Sequence, residues 1–333
     1  MADFNPNTNK AARISPKDNL RRAILRQNPQ WVPCGLETVV WIKPPVVERP
    51  ARAGRDAFGV PWDFEPAAEG GTFPTHDGQT ITDLTRWREQ ITIPDVDALD
   101  WSAVRQQVAS LDRAQQTVMG FCEMGLFERA YLLLGMESAL EAYILQPQHM
   151  DELLGAIADY KIRLIERFDD EADLEILWYG DDWGTQENLF LPPQVWRSII
   201  RPHTQRIYDV LKRRGILINQ HSCGKIELVF GDVVEMGAAM WNPCQPCNDL
   251  AAMKKRWGDR IAFCGGIDSQ FVLARPGVTP EQVRAEVRRR IGEMGRGGGY
   301  IAEPSHAVPY RPEIVHAMQD EIAKCGRAIY LRS

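Results

Sequence analysis

His221 and Cys223 stand two residues apart in "INQHSCGKI", the stretch from Ile218 to Ile226, where a mostly apolar run ends at Gly224. Imidazole and thiolate are both zinc ligands. With a third protein ligand, His306 or Glu303 in its place, they would hold Zn2+ with one position open, which is the catalytic pattern; a structural zinc is closed by four protein ligands. Nitrogen and sulfur donors suit Zn2+ better than Mg2+ or Ca2+. The competing reading is a buried thiol packed beside a satisfied histidine.

Comparable groups follow other apolar runs. Glu123 comes after "TVMGFC", Asp181 and Asp182 after "LEILWYG", and Cys244, Gln245 and Cys247 after "AAMWNP". Cys264 lies inside "RIAFCGG", with Asp268 after it, and "GGYIAEPSH" carries Tyr300, Glu303 and His306. Asp181 and Asp182 cannot both point the same way if the strand runs through them. One faces the site and the other caps the next turn. A carboxylate there serves as general base, general acid or hydrogen-bond partner of a substrate. Asp182, Asp181 and Glu123 are therefore the candidate catalytic residues. Trp183, Gln186, Asn242, Gln245, Asp268, Glu303 and Tyr300 are the candidate substrate contacts. Trp178, Trp183 and Trp241 form either an aromatic wall for a planar ligand or core packing. Cys244 and Cys247 make a lone CxxC, read first as two small residues in a turn, with a metal half-site or a redox pair as the alternatives.

The elements that must position these groups alternate. Apolar runs at 117–122, 174–180, 215–221, 238–243, 260–266 and 298–304, with an earlier one at 31–41, predict strands. Amphipathic stretches between them predict helices. In "TPEQVRAEVRRRIGEM", Thr279 is the N-cap, Pro280 the first helical residue and Gln282 the closure of a capping box. Its apolar residues Val283, Val287, Ile291 and Met294 share one face. Helices are likewise predicted over 151–168 and 192–215, with Gly215 ending the latter. Alternating strands and helices with continuously apolar strands imply a parallel sheet covered by helices. The number of units favours a single (β/α)8 TIM barrel, whose site lies at the C-terminal ends of the strands. No GxGxxG follows the first strand. Residues 43–100, rich in Pro, Gly and charge, predict a long insertion near the barrel mouth, either a substrate-binding lid or a surface excursion with its own hairpins.

With 333 residues, 44% hydrophobic and 25% charged, the chain has length for one large core. Residues 1–16 read as a flexible tail and 17–333 as the barrel. A net charge of -6 gives no electrostatic reason to expect a nucleic-acid partner. The polar N-terminus lacks a signal core, and no stretch reaches the roughly 18 apolar residues of a membrane span. The expected location is cytoplasmic. Seven scattered cysteines then read as thiols or metal ligands.

"WYGDDWGTQENLFLPPQVWRSIIRPH", "INQHSCGKI", "MWNPCQ", "DRIAFCGGIDSQ" and "GGGYIAEPSHAVPYRPEIVHAM" together resemble the uroporphyrinogen decarboxylase superfamily. The likeness spans about residues 103–325, and "PKDNLRRAILRQNPQWVP" resembles that family's leading helix and first strand. The resemblance implies a single barrel and one of two chemistries. The decarboxylase proper uses no metal and carries an "MRQAGR" motif that binds carboxylates; here there is only "PARAGRD". The other branch moves methyl groups to or from a corrinoid, with zinc held by a His-x-Cys pair and a later Cys. His221 and Cys223 match the pair, and "PSHA" puts His306 where the later Cys falls. The expectation is a zinc-dependent methyltransferase acting between a small methoxy- or thiol-type substrate and a corrinoid protein, on a chain that forms a homodimer. The alternative is a metal-independent decarboxylase of a carboxylated aromatic or tetrapyrrole, with Asp181 or Asp182 stabilising charge and Arg201 binding a carboxylate. A non-catalytic zinc or corrinoid binder is the third reading.

Overall fold

The computed structural model describes residues 14–65, 71–306 and 308–331. The tail expected at 1–16 lies outside the described residues except for its last three positions. There Ser15 accepts a hydrogen bond from Asp18 N and Pro16 opens the first helix, α1 (Pro16–Leu25).

Seven strands form one parallel sheet in sequence order. They are β1 (Val39–Ile42), β2 (Thr117–Cys122), β3 (Ile176–Gly180), β4 (Leu217–His221), β5 (Met240–Cys244), β6 (Ala262–Ile267) and β7 (Tyr300–Pro304). Apart from β1, where Trp41 is exposed, their apolar runs are largely buried, as a helix-covered parallel sheet requires; every residue of β3 and of β6 is buried. The two edges meet. Ahead of β1, Cys34 bridges to Ala302 of β7, Gly35 N donates to Ala302 O at 2.8 Å, and Ala302 N donates to Pro33 O at 2.9 Å. The sheet therefore curls round an interior of its own. Met119, Ile176, Met240, Ala262 and Ile301 fill the end where the strands begin, and Leu20 and Ile24 of α1 pack into that end.

The result is a TIM-like α/β fold with seven strands, where the alternation favoured eight. Among the described residues, no eighth strand joins this sheet. The stretch between β1 and β2 is too rich in Pro and Gly to supply another unit. It folds as a small antiparallel sheet of Gly54–Arg55, Pro61–Phe64 and Thr72–Pro74, followed by short helical turns. Two buried ion pairs dock it. Arg129, on α2 (Leu126–Leu134), pairs with Asp56, and Lys161, on α3 (Pro147–Ala172), pairs with Glu48. Tyr160 OH also donates to Glu48 at 3.0 Å.

The helix α4 (Arg201–Arg214) ends at Gly215 with φ +75°, the left-handed cap its sequence predicts. The capping box of Thr279 and Gln282 starts α5 (Pro280–Met294), whose Val283, Val287, Ile291 and Met294 are all buried. No described helix is long and apolar enough to cross a membrane.

Candidate metal centre and adjoining cavity

The C-terminal ends of β3 and β4 bring three donors together. Asp182 Oδ1 lies 3.5 Å from His221 Nε2, and Cys223 Sγ lies 3.5 Å from the same nitrogen. One donor atom from each of Asp182, His221 and Cys223 falls within 4.8 Å of the others. Asp182 Oδ1 also accepts Cys223 N at 2.7 Å, so the first loop fixes the second. The "HSCG" loop is pinned on every side. Trp183 N donates to Ser222 Oγ at 3.0 Å, Gly224 N to Gln245 Oε1 at 2.6 Å, and Lys225 N to Thr185 O at 2.7 Å. Gly224 has φ +77°, and a Cβ there would stand 2.2 Å from the backbone of Gly184. Only glycine permits this approach.

Asp181 and Asp182 divide their roles. Asp181 is fully buried and accepts Phe127 N at 3.2 Å, Glu128 N at 2.9 Å and Trp183 Nε1 at 2.9 Å. It caps α2 and does not face the site. Burial lifts its carboxyl to about 6 against those hydrogen bonds. Asp182 is the one turned to the donors.

The donor set fits a borderline-soft cation. Burial lowers the basicity of His221, opposed by the charge of Asp182, so a neutral ring is favoured. Burial, then Asp182, raises the Cys223 thiol strongly. A cation among the three would reverse that penalty. The far side of the ring fits as well. His221 Nδ1 and Asn242 Oδ1 are both buried with no other partner, the two residues are directly paired across β4 and β5, and the Asn242 side chain raises the basicity of the ring. A proton on Nδ1 directed at Asn242 leaves the Nε2 lone pair facing Asp182 and Cys223, the arrangement that orients a metal-binding histidine.

His306, expected as third ligand, is outside this cluster among the described residues. It is exposed, and its backbone is held by Ser269, whose Oγ accepts His306 N at 2.8 Å. It stands near enough to disfavour a charged His221. The third donor in place is Asp182. Glu303 accepts a hydrogen bond from Cys264 Sγ at 3.0 Å, and burial raises its carboxyl. Trp183 and Tyr300 are core residues: the indole binds Asp181, and the Tyr300 hydroxyl donates to Gly265 O at 3.0 Å. Trp241 is wholly buried. Glu123 is half-buried, its carboxyl raised by desolvation, while its carbonyl accepts Lys161 Nζ at 2.7 Å. Arg201 is committed to Asp232 and Glu235, each at 3.3 Å. Cys244 is buried with its thiol on Trp241 O at 3.3 Å, and Cys247 stands apart from it in the wall of a cavity.

Reading the sequence at strand ends missed two groups. Glu128 lies in the first turn of α2, and its carboxyl is raised well above the usual range by burial, then by Asp182 and Asp181. Tyr131 OH donates to it at 3.4 Å. An acidic residue in the opening turn of a helix just past a strand was the available signal. Of the three tryptophans expected in an aromatic wall, Trp178 is in it, joined by residues the sequence reading did not name. Phe121 stacks on Trp178 at 4.4 Å, Trp178 packs on the His221 ring at 4.5 Å, and the half-exposed Trp41 meets both Phe121 and Trp178 edge-on.

Beside the donors opens a cavity of about 360 Å3. Gln186, Gln245, Asp268 and His306 line it. It shares the "HSCG" loop through Gln245, whose amide oxygen holds Gly224 N.

A curled parallel sheet with carboxylate, imidazole and thiol at its C-terminal mouth is the architecture of a barrel enzyme. Residues 53–324 match the family described as uroporphyrinogen decarboxylase (URO-D), and the chain belongs to that family. The uroporphyrinogen decarboxylase of Methylococcus capsulatus is 25% identical over 198 residues, covering 56% of this chain and 51% of that protein. The one from Thioalkalivibrio sulfidiphilus is 24% identical over 193 residues, covering 54% and 50%. The chain thus spans about half the length of the curated relatives it matches. A solved methyltransferase from Methanosarcina mazei superposes with a TM-score of 0.70 at 16% identity, over 94% of this chain and 99% of that one, and so shares the fold.

Proposed function

We propose that this chain is a zinc-dependent methyltransferase, moving a methyl group between a small methoxy- or thiol-type substrate and a corrinoid carried by a partner protein. The observation that supports it is the convergence of Asp182, His221 and Cys223 within 4.8 Å at the mouth. These three residues would hold the ion. When bound, Zn2+ supplies Lewis acidity toward the substrate's sulfur or oxygen. The chain's own groups do the rest. Asn242 orients His221 from behind, and Asp182 ties the Cys223 backbone in place. Glu128, its carboxyl raised by burial and by Asp182 and Asp181, is the candidate proton donor to a departing oxygen. Trp178 and Phe121 keep water from one side of the His221 ring.

The second reading, metal-independent decarboxylation, draws on the names of the relatives. Asp182 and Asp181 already raise the Glu128 carboxyl, and Asp182 adds to the rise at Asp181, a setting that repels a polycarboxylate. Arg201 is spent on Asp232 and Glu235.

Metal analysis of the purified protein and of His221→Ala/Cys223→Ser tests the proposal. Close to stoichiometric zinc is expected in the parent and little in the variant, with methyl transfer to cobalamin lost in parallel. Zinc-free protein that decarboxylates undiminished in chelator would establish the second reading instead.

A further inference from the structure

We infer that the 360 Å3 cavity beside the donor cluster takes an uncharged ligand bearing hydroxyl or carbonyl groups on an apolar frame, and rejects carboxylates. Its role as the substrate site rests on the methyl-transfer reading; its charge preference does not. The volume is in the range of small-molecule sites.

Among the described residues no Lys or Arg lines it, and the imidazole of His306 is in its wall. Its polar groups are mainly amides and hydroxyls, including Gln186, Gln245 and Ser305. Phe271, 68% exposed, offers an aromatic face. The fixed charge is negative. Asp268 spends one oxygen on Phe271 N at 2.8 Å, and no cation pairs with it among the described residues. Lys225, the cation that acts on Cys247, is offset there by Glu227. An anion entering this space loses its hydration and meets neutral donors and a carboxylate, a net cost that no counter-charge repays. A hydroxyl or carbonyl meets matched partners: the Gln186 amide donates and accepts, the free Asp268 oxygen accepts, and Gln245 keeps its NH2 because its oxygen is taken by Gly224 N.

Vanillyl alcohol and vanillate test this directly. Both carry a methoxy group on a ring suited to Phe271, and they differ only in a hydroxymethyl group against a carboxylate. Calorimetric titration of the full chain at pH 8 is expected to give at least about tenfold tighter binding of the alcohol. Gln186→Arg places a cation in the wall and is expected to remove most of that preference. Ala274→Trp, at an exposed position, fills the cavity and is expected to abolish binding of both. Equal or tighter binding of vanillate, no binding of either, or binding indifferent to Ala274→Trp would each overturn the inference. Zinc measured on the same protein separates the two claims. Absence of zinc with the preference intact sinks the methyltransferase reading and leaves the cavity's selectivity. Zinc present with vanillate preferred sinks the cavity inference alone.

Discussion

Asp181 and Asp182 adjoin in sequence and face opposite tasks. Asp181 satisfies three buried N–H groups, two of them at the start of α2. Asp181→Ala would orphan all three, losing a helix cap worth about 1 kcal/mol and adding about 1–3 kcal/mol for unsatisfied donors. Urea denaturation is expected to show that loss, while Asp182→Ala unfolds within about 0.5–1 kcal/mol of the parent, as a partly exposed site allows. Zinc affinity should rank them the other way, with Asp182→Ala the weaker by at least about tenfold. An Asp182→Ala protein that binds zinc as the parent does would remove it from the ligand set. At this scale His221 was legible as the last residue of its strand, and Cys223, two residues on, falls in the same cluster. His306, equally two residues beyond β7, falls outside it, because the course of its loop depends on Ser269. Asp182's part became visible only when the strand showed which of two adjacent carboxylates points outward.

Among elements, the strands were the most legible. β2 begins and ends at the residues its apolar run marks, and the other six fall within or overlap their runs by a residue or more. Burial on both faces makes such runs continuous, and the register follows from them. Close packing between loops is different, since it leaves no trace in hydrophobic pattern. Gly224 and Gly184, forty residues apart in sequence, touch backbone to backbone. Gly224→Ala combines a positive φ with a 2.2 Å clash and is expected to push the Cys223 loop off Asp182. The measurement is zinc content beside the far-ultraviolet circular dichroism spectrum: metal should fall sharply with helix content preserved. Full zinc occupancy in Gly224→Ala would show that the loop is not what places the thiol.

For the whole molecule, the segment between β1 and β2 is bound to the barrel by side chains buried in pairs. Lys161 donates to Glu48 and also to Glu123 O, while Arg129 joins Asp56 and the carbonyl of Glu48. Breaking one partner leaves a charge buried alone, so Lys161→Met should cost about 3–5 kcal/mol in equilibrium unfolding. Lys161→Met with Glu48→Gln should cost less than the sum of the two single changes. Additive losses would mean that the pair is not one unit. Composition predicted a long insertion here; it could not predict these ion pairs, because the partners of Glu48 and Asp56 are remote in sequence.

Leu20 and Ile24 of α1 pack into the barrel end where its strands begin, and the donor cluster lies at the opposite mouth. Small reactants of the proposed transfer would reach it there. A macromolecule broad enough to sit across that opening can only arrive after them and must depart before they do. Under the methyl-transfer proposal the expected order is therefore small reactant first, large reactant second, and the exit in reverse.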